Sequence, residues 1–89
     1  MGIRLRIDPH TLLRAEERGA TETEIRDVLE TGDPIPAKTM RLAKAKVYPF
    51  DRERNGKYYA HKRVEVIYVE EDGLTVTVTV YVFFGQWTI

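Results

Sequence analysis

His10, Arg14 and Arg18 recur at intervals of four, with Glu17 beside them, so a helix through this stretch brings all of them to one side. Metal-free cleavage of RNA uses such groups: a base for the ribose hydroxyl, cations for the phosphorane and an acid for the leaving oxygen. His10 is a candidate base, because the start of a helix disfavours a protonated imidazole. Arg14 and Arg18 are candidate phosphate clamps. His61, the only other histidine, stands among Tyr58, Tyr59, Lys62 and Arg63 and is the second candidate for acid–base work. The plainer reading gives these residues structural duties. His10 then supports the helix start, Arg14 and Arg18 pair with Glu17, Asp8 or the end of a sheet, and His61 lies on a solvent-facing strand. Catalysis requires the two histidines and the arginines to converge in one cleft.

A second signal is the basic stretch from Lys38 to Arg63, which holds nine Lys and Arg against two acidic residues, Asp51 and Glu53. Tyr48, Phe50, Tyr58 and Tyr59 are interleaved with the cations. Cations supply affinity for phosphate, and exposed aromatic rings give bases a surface on which to stack. Arg41, Lys44, Lys46, Tyr58, Lys62 and Arg63 are therefore the candidate RNA-binding residues, and strand alternation brings Lys44, Lys46 and Lys62 onto one surface. The competing expectation is a strand face balanced or shielded by the acidic segment Glu22, Glu24, Asp27 and Glu30.

Composition narrows the classes. The chain has 89 residues, one domain's worth, and a formal net charge of zero, so no overall field drives binding to nucleic acid or membrane. It contains no cysteine, which excludes disulfides, thiolate metal sites and thiol nucleophiles. Two distant histidines make no zinc site, and neither a phosphate-binding glycine loop nor a nucleophile elbow occurs, so no metal or cofactor is expected. Without an apolar run of membrane-spanning length, the expectation is a soluble, cytoplasmic protein. Asn55 is the only asparagine and Gln86 the only glutamine, while charged residues make up 31% of the chain. That bias is the one found in heat-adapted proteins. It predicts a thermophilic source, which a thermal midpoint in the ordinary mesophilic range would refute.

The elements that must position these groups are legible in outline. Ile3 to Ile7 alternates as a short first strand. Asp8-Pro9 is a helix start, and Gly19 stops that helix after Arg18. Thr21 and Glu24 form a capping box for a second helix with Ile25, Val28 and Leu29 on one stripe, ended by Gly32-Asp-Pro34 and Pro36. Met40 to Tyr48 reads as a strand with Ala43, Ala45 and Val47 on one side and Leu42, Lys44, Lys46 and Tyr48 on the other. A polar turn from Asp51 to Lys57 leads to a strand beginning at Tyr58 and running on through Arg63 to Glu70. Leu74 to Phe84 alternates with period two. Leu74, Val76, Val78, Val80, Val82 and Phe84 are expected on a buried face, and Thr75, Thr77, Thr79, Tyr81 and Phe83 on a mixed one. Glu71-Asp-Gly73 turns between the last two strands. Trp87 is expected to pack back over an edge of the core. The sum is an α+β domain over residues 1–89: a short first strand and two helices packed on a curved antiparallel sheet of three to four strands.

The string His10-x-x-x-Arg14-x-x-Glu17-Arg18-Gly19, the helix ending in Val28-Leu29, and Thr79-Val80-Tyr81 in the last hairpin resemble a family of small bacterial domains, domain of unknown function 4258. Arg41-x-Ala43 and Val66-x-Tyr68 belong to the same likeness, which covers almost the whole chain. Ala20 departs from it, standing where a larger aliphatic residue is usual, and so does Ala15, where methionine is common. The resemblance implies a fold like that of the RelE and ParE toxins. It also implies an RNA-interacting protein, either a metal-independent endoribonuclease or a toxin paired with an antitoxin-like partner. A non-catalytic module of the same fold that binds a protein or a nucleic acid is the alternative.

Overall fold

Two dipeptide turns set the frame of the sheet. Asn55-Gly56 (φ 54° and 80°) and Asp72-Gly73 (φ 51° and 78°) both lie in the left-handed region, the geometry of a two-residue hairpin loop whose twist matches its strands. They join three long strands: β3 (Leu42–Arg54), β4 (Lys57–Glu71) and β5 (Leu74–Gly85). A computed structural model describes residues 3–88. Ahead of the long strands come β1 (Leu5–Arg6), α1 (Pro9–Arg18), α2 (Glu22–Thr31) and β2 (Asp33–Pro34). The sheet order is β1-β5-β4-β3-β2.

Five strands replace the expected three to four, and the sheet is mixed. β1 lies parallel to β5, whereas the other neighbours are antiparallel. The extra strand is β2, within the segment expected to end α2 and open a loop. Its Asp33 and Pro34 pair with Ala45 and Lys44, and the Ile35 N–H donates to the Ala43 carbonyl at 3.0 Å. The expected first strand is trimmed to Leu5–Arg6, where the Arg4 carbonyl accepts the Thr75 N–H. β3 runs on to Arg54, past the turn expected from Asp51. It absorbs one extra residue on the way, with Phe50 and Asp51 together facing Ala60 as a β-bulge.

Both helices begin and end at the residues their caps dictate. The Asp8 side chain accepts the His10 N–H and Pro9 opens α1, which Gly19 closes at φ 94°. At α2 the Thr21 and Glu24 side chains each accept the other's backbone N–H. The two helices lie on one face of the sheet, where Ile25, Val28 and Leu29 meet Val64, Val66 and Val80, all between 0 and 2% exposed. In α1 the buried side chains are Thr11 and Ala15, four residues apart, while Leu13 faces solvent.

A second bulge overturns part of the expected alternation in β5. Ile67 pairs with Thr79 and Tyr68 with Thr77, so Val78 is left over. The inserted residue reverses the parity of everything before it. Val80 faces the helices as expected, but it is joined there by Thr77, not by Val76 or Val78. Thr77 is buried and bonded: its hydroxyl donates to Thr11 Oγ1 at 2.9 Å and accepts the Asp8 N–H at 3.0 Å. A buried threonine pair in which neither hydroxyl is left without a partner costs little, and it ties the start of α1 to β5.

Candidate nucleic-acid interface

β3 alternates as expected, and its lysine side is the side the helices cover. Lys44 lies opposite Val66, Lys46 opposite Val64 and Tyr48 opposite Lys62, so all four polar groups share the core face. There each ammonium finds a helix partner. Lys44 Nζ donates to the Leu29 carbonyl at 2.8 Å, near the C-terminal end of α2, where the helix dipole favours a cation. Lys46 Nζ reaches Asp27 Oδ2 at 2.7 Å and Thr31 Oγ1 at 2.8 Å. Lys62, only 6% exposed, donates to the Gly19 carbonyl (2.8 Å) and to Glu24 Oε1 (2.9 Å). The Tyr48 hydroxyl donates to Asp27 Oδ2 at 2.6 Å. The hydrogen bonds from Lys46 and Tyr48 hold the Asp27 carboxyl below its ordinary value. Burial, with the Asp27 carboxylate beside it, pushes the Tyr48 phenol well above its own. Lys44, Lys46 and Lys62 thus lie on one surface, as alternation required, and that surface is the seat of α2.

The row along α1 is divided in the same way. Arg14 pairs with Glu17 at 2.8 Å on the exposed side of the helix. Arg18 turns under to the sheet edge, where it donates to the Val80 carbonyl and lies 5.0 Å from the centre of the Tyr81 ring. His10 is exposed at the start of α1. His61 lies opposite Pro49 and Gly85, and its Nδ1 accepts the Trp87 N–H at 3.1 Å. The Trp87 ring lies against Gly85. His10 adjoins the Thr77 end of β5 and His61 the Gly85 end, about 25 Å apart at ~3.3 Å per residue. They are also on opposite faces of the sheet. The convergence that acid–base catalysis requires is not met by this pair. Tyr58 stands at the tip of the β3–β4 hairpin, and the hydrogen bond from its hydroxyl to Asp51 Oδ1 (2.7 Å) raises its pKa.

The face without helices is a different surface. Val47 and Arg63 lie opposite each other there, as do Arg63 and Phe83, Glu65 and Tyr81, and Ile67 and Thr79. Tyr81 and Phe83 are 42% and 47% exposed, unusual for large rings in mid-strand. Two residues apart on one strand, they stand about 7 Å from each other, at ~3.4 Å per residue. Arg63 is beside Phe83 and meets Glu65, which lies opposite Tyr81, at 3.3 Å. Beyond Tyr81 the segment joining β2 to β3 folds over the sheet. With Ile67, Thr79 and Tyr81 it lines a half-open cavity of ≈ 410 Å³, whose other walls include Pro36, Lys38 and Arg41. The same segment explains why Ala43 and Ala45 are only 3% and 5% exposed on a face that no helix covers.

Of the candidate residues, Arg18, Arg41 and Arg63 are gathered around Tyr81 and Phe83. His10, Arg14 and Tyr58 are elsewhere on the surface, and Lys44, Lys46 and Lys62 are beneath α2. Tyr81 and Phe83 were not among the candidates, although alternation had already set both on the mixed face of β5. Among the described residues no cluster of His, Asp and Glu could hold a metal ion, and no helix is long and apolar enough to cross a membrane. Set against protein-family models, curated proteins and solved structures, the chain gives no match, so the chemistry of this face is read from its own residues.

Proposed function

We propose that this protein binds single-stranded RNA on the open face of its sheet, without cleaving it. The observation that carries the reading is the pair Tyr81 and Phe83: two solvent-exposed rings on alternate residues of one strand, with Arg63 beside Phe83 and Arg18 against Tyr81. A sheet that presents aromatic rings flanked by cations offers stacking surfaces for successive bases and charge for the phosphates between them. With fourteen basic residues balanced by fourteen acidic ones, binding rests on a local patch and not on a global field. The RelE-type toxin fold implied by the family resemblance is part of the proposal. Two helices on one face of a largely antiparallel sheet, with no helix on the other, is the arrangement in its favour. A protein partner added along the β5 edge is less favoured, because Arg18 already occupies the outward Val80 carbonyl.

The test is equilibrium binding of a fluorescent single-stranded oligoribonucleotide at several salt concentrations, with Tyr81→Ala and Phe83→Ala beside the wild type. Affinity falls with added salt, and each variant loses about 1–3 kcal/mol, the worth of one stacked base. Binding indifferent to both substitutions would sink the proposal. The same RNA incubated with the protein in EDTA stays intact. Cleavage that His61→Ala or His10→Ala abolishes would instead restore the ribonuclease reading.

A further inference from the structure

The cavity beside Tyr81 has a cationic, donor-rich lining that the stacking platform does not explain. Lys38 and Arg41 carry only donors, and Thr79 and Tyr81 present hydroxyls that can donate. None of the residues lining the cavity is acidic, in a chain with fourteen Asp and Glu. Among the described residues, neither Lys38 nor Arg41 makes an ion pair or a side-chain hydrogen bond. Unlike Lys44, Lys46 and Lys62, which α1 and α2 match, these two cations are unmatched and line one cavity, an arrangement that suits an anion from outside.

The segment is built to hold them there. The Arg41 N–H donates to the Lys38 carbonyl at 3.0 Å, closing a tight turn. Met40 completes that turn at φ 70°, a strained conformation for an unbranched side chain, and its own side chain is 89% exposed. The turn therefore brings Lys38 and Arg41 to the cavity while Met40 points away. Tyr81 forms the remaining wall, its ring steadied by the Arg18 guanidinium. A volume of ≈ 410 Å³ is at the small end of ligand sites and suits one nucleotide. The segment stands beside Tyr81, so a strand laid over Phe83 and Tyr81 reaches this cavity.

We propose that this cavity takes the terminal nucleotide of a single-stranded RNA, its base on Tyr81 and its phosphomonoester between Lys38 and Arg41. The inference rests on the reading of the open face as an RNA platform and adds an end preference to it. A terminal phosphomonoester carries close to two negative charges at neutral pH and three acceptor oxygens, which two cations and two hydroxyls complement. An internal phosphodiester brings only one charge and a chain that has to leave again. A 5′ or a 3′ phosphate has this chemistry equally.

The experiment compares three eight-nucleotide RNAs of one sequence: 5′-phosphorylated, 3′-phosphorylated, and hydroxyl at both ends. One phosphorylated form binds the wild type about tenfold or more tightly than the hydroxyl form. In a Lys38→Ala/Arg41→Ala double variant, which changes two exposed side chains, that preference vanishes. Its affinity for the hydroxyl form falls only by the smaller, salt-sensitive share of two surface charges. Nucleoside 5′-monophosphate competes for the phosphorylated RNA better than inorganic phosphate does. Equal binding of all three RNAs overturns the end-pocket inference and leaves the platform standing. No binding of any of them removes both. Competition by inorganic phosphate as effective as by the nucleotide overturns the placing of a base on Tyr81.

Discussion

The two faces of one sheet are made by the same three strands and put cations to opposite uses. On the covered face, Lys44, Lys46 and Lys62 rise among valines, and each ammonium ends on a helix carbonyl or carboxylate. On the open face, Arg63 meets Glu65 beside an exposed ring, whereas Lys38 and Arg41 line a cavity with no acid to answer them. A lysine stem can run along apolar surface while its head finds a partner, so basic residues under an acidic helix act as fasteners. The comparison shows that local charge density, highest between Lys38 and Arg63, does not say which cations are free, since three of its lysines are matched by α1 and α2. What matters is which cations the fold leaves unanswered.

Substitutions in the covered face should cost stability, and those in the open face should cost binding. The largest stability effect is expected from Ile25→Ala, which empties a fully buried site between α2 and the sheet. It should lower unfolding stability by about 2–5 kcal/mol, read by denaturant titration, while the folded fraction still binds RNA. Next comes Lys62→Met, which keeps the stem but strands the Gly19 carbonyl and the Glu24 carboxylate. A loss of about 1.5–3 kcal/mol is expected, since hydrogen bonds to a charged group are being removed from a site 6% exposed. A change in RNA affinity larger than the change in stability would blur the division between the faces. Phe83→Ala is the mirror image: with the ring 47% exposed, its stability cost should be within about 1 kcal/mol, against the loss of a stacked base in binding.

The smallest effect is a pH dependence confined to the covered face. The Tyr48 phenol has a raised pKa in the fold, so its contribution is complete below the ordinary value of 10.0 and is lost as pH rises beyond it. Asp27 is shifted downward, so its contribution is present above 3.8 and fades as pH falls below that value. Stability curves of Tyr48→Phe and Asp27→Asn should therefore be flatter than wild type on the alkaline and acid limbs respectively. Asp27 is about one-third exposed, so the acid effect is a modest one. Identical limbs in variant and wild type would remove these two groups from the account.

Much of the frame could be read from short stretches. Asp8-Pro9, Gly19, the Thr21–Glu24 box, Asn55-Gly56 and Asp72-Gly73 act through their own backbone geometry and need no distant partner, so local chemistry decides them. The two sides of β3 were likewise legible, because the side-chain period of a strand is fixed. The bulge at Val78 was not. Perfect alternation from Leu74 to Phe84 hides an inserted residue, and only pairing with β4 and burial of Thr77 against Thr11 reveal it. β2 was missed because two residues, one of them proline, carry no periodic signal, and their pairing depends on where α2 delivers the chain.

The site was half visible. Arg18, Arg41 and Arg63 stood among the candidates, and Tyr81 and Phe83 lay on the face marked as mixed, yet nothing local said which face the helices would take. The amino-acid sequence by itself determined the caps, the hairpin turns, the apolar stripe of α2 and the sidedness of each strand, all set by interactions a few residues long. Tertiary structure decided which side of the sheet was covered, that three lysines would be matched beneath α2, and that the two histidines would stand at opposite ends. Those outcomes depend on contacts between residues up to 69 positions apart, such as Asp8 with Thr77, where the docking of α1 and α2 selects one face for burial and leaves the other to solvent.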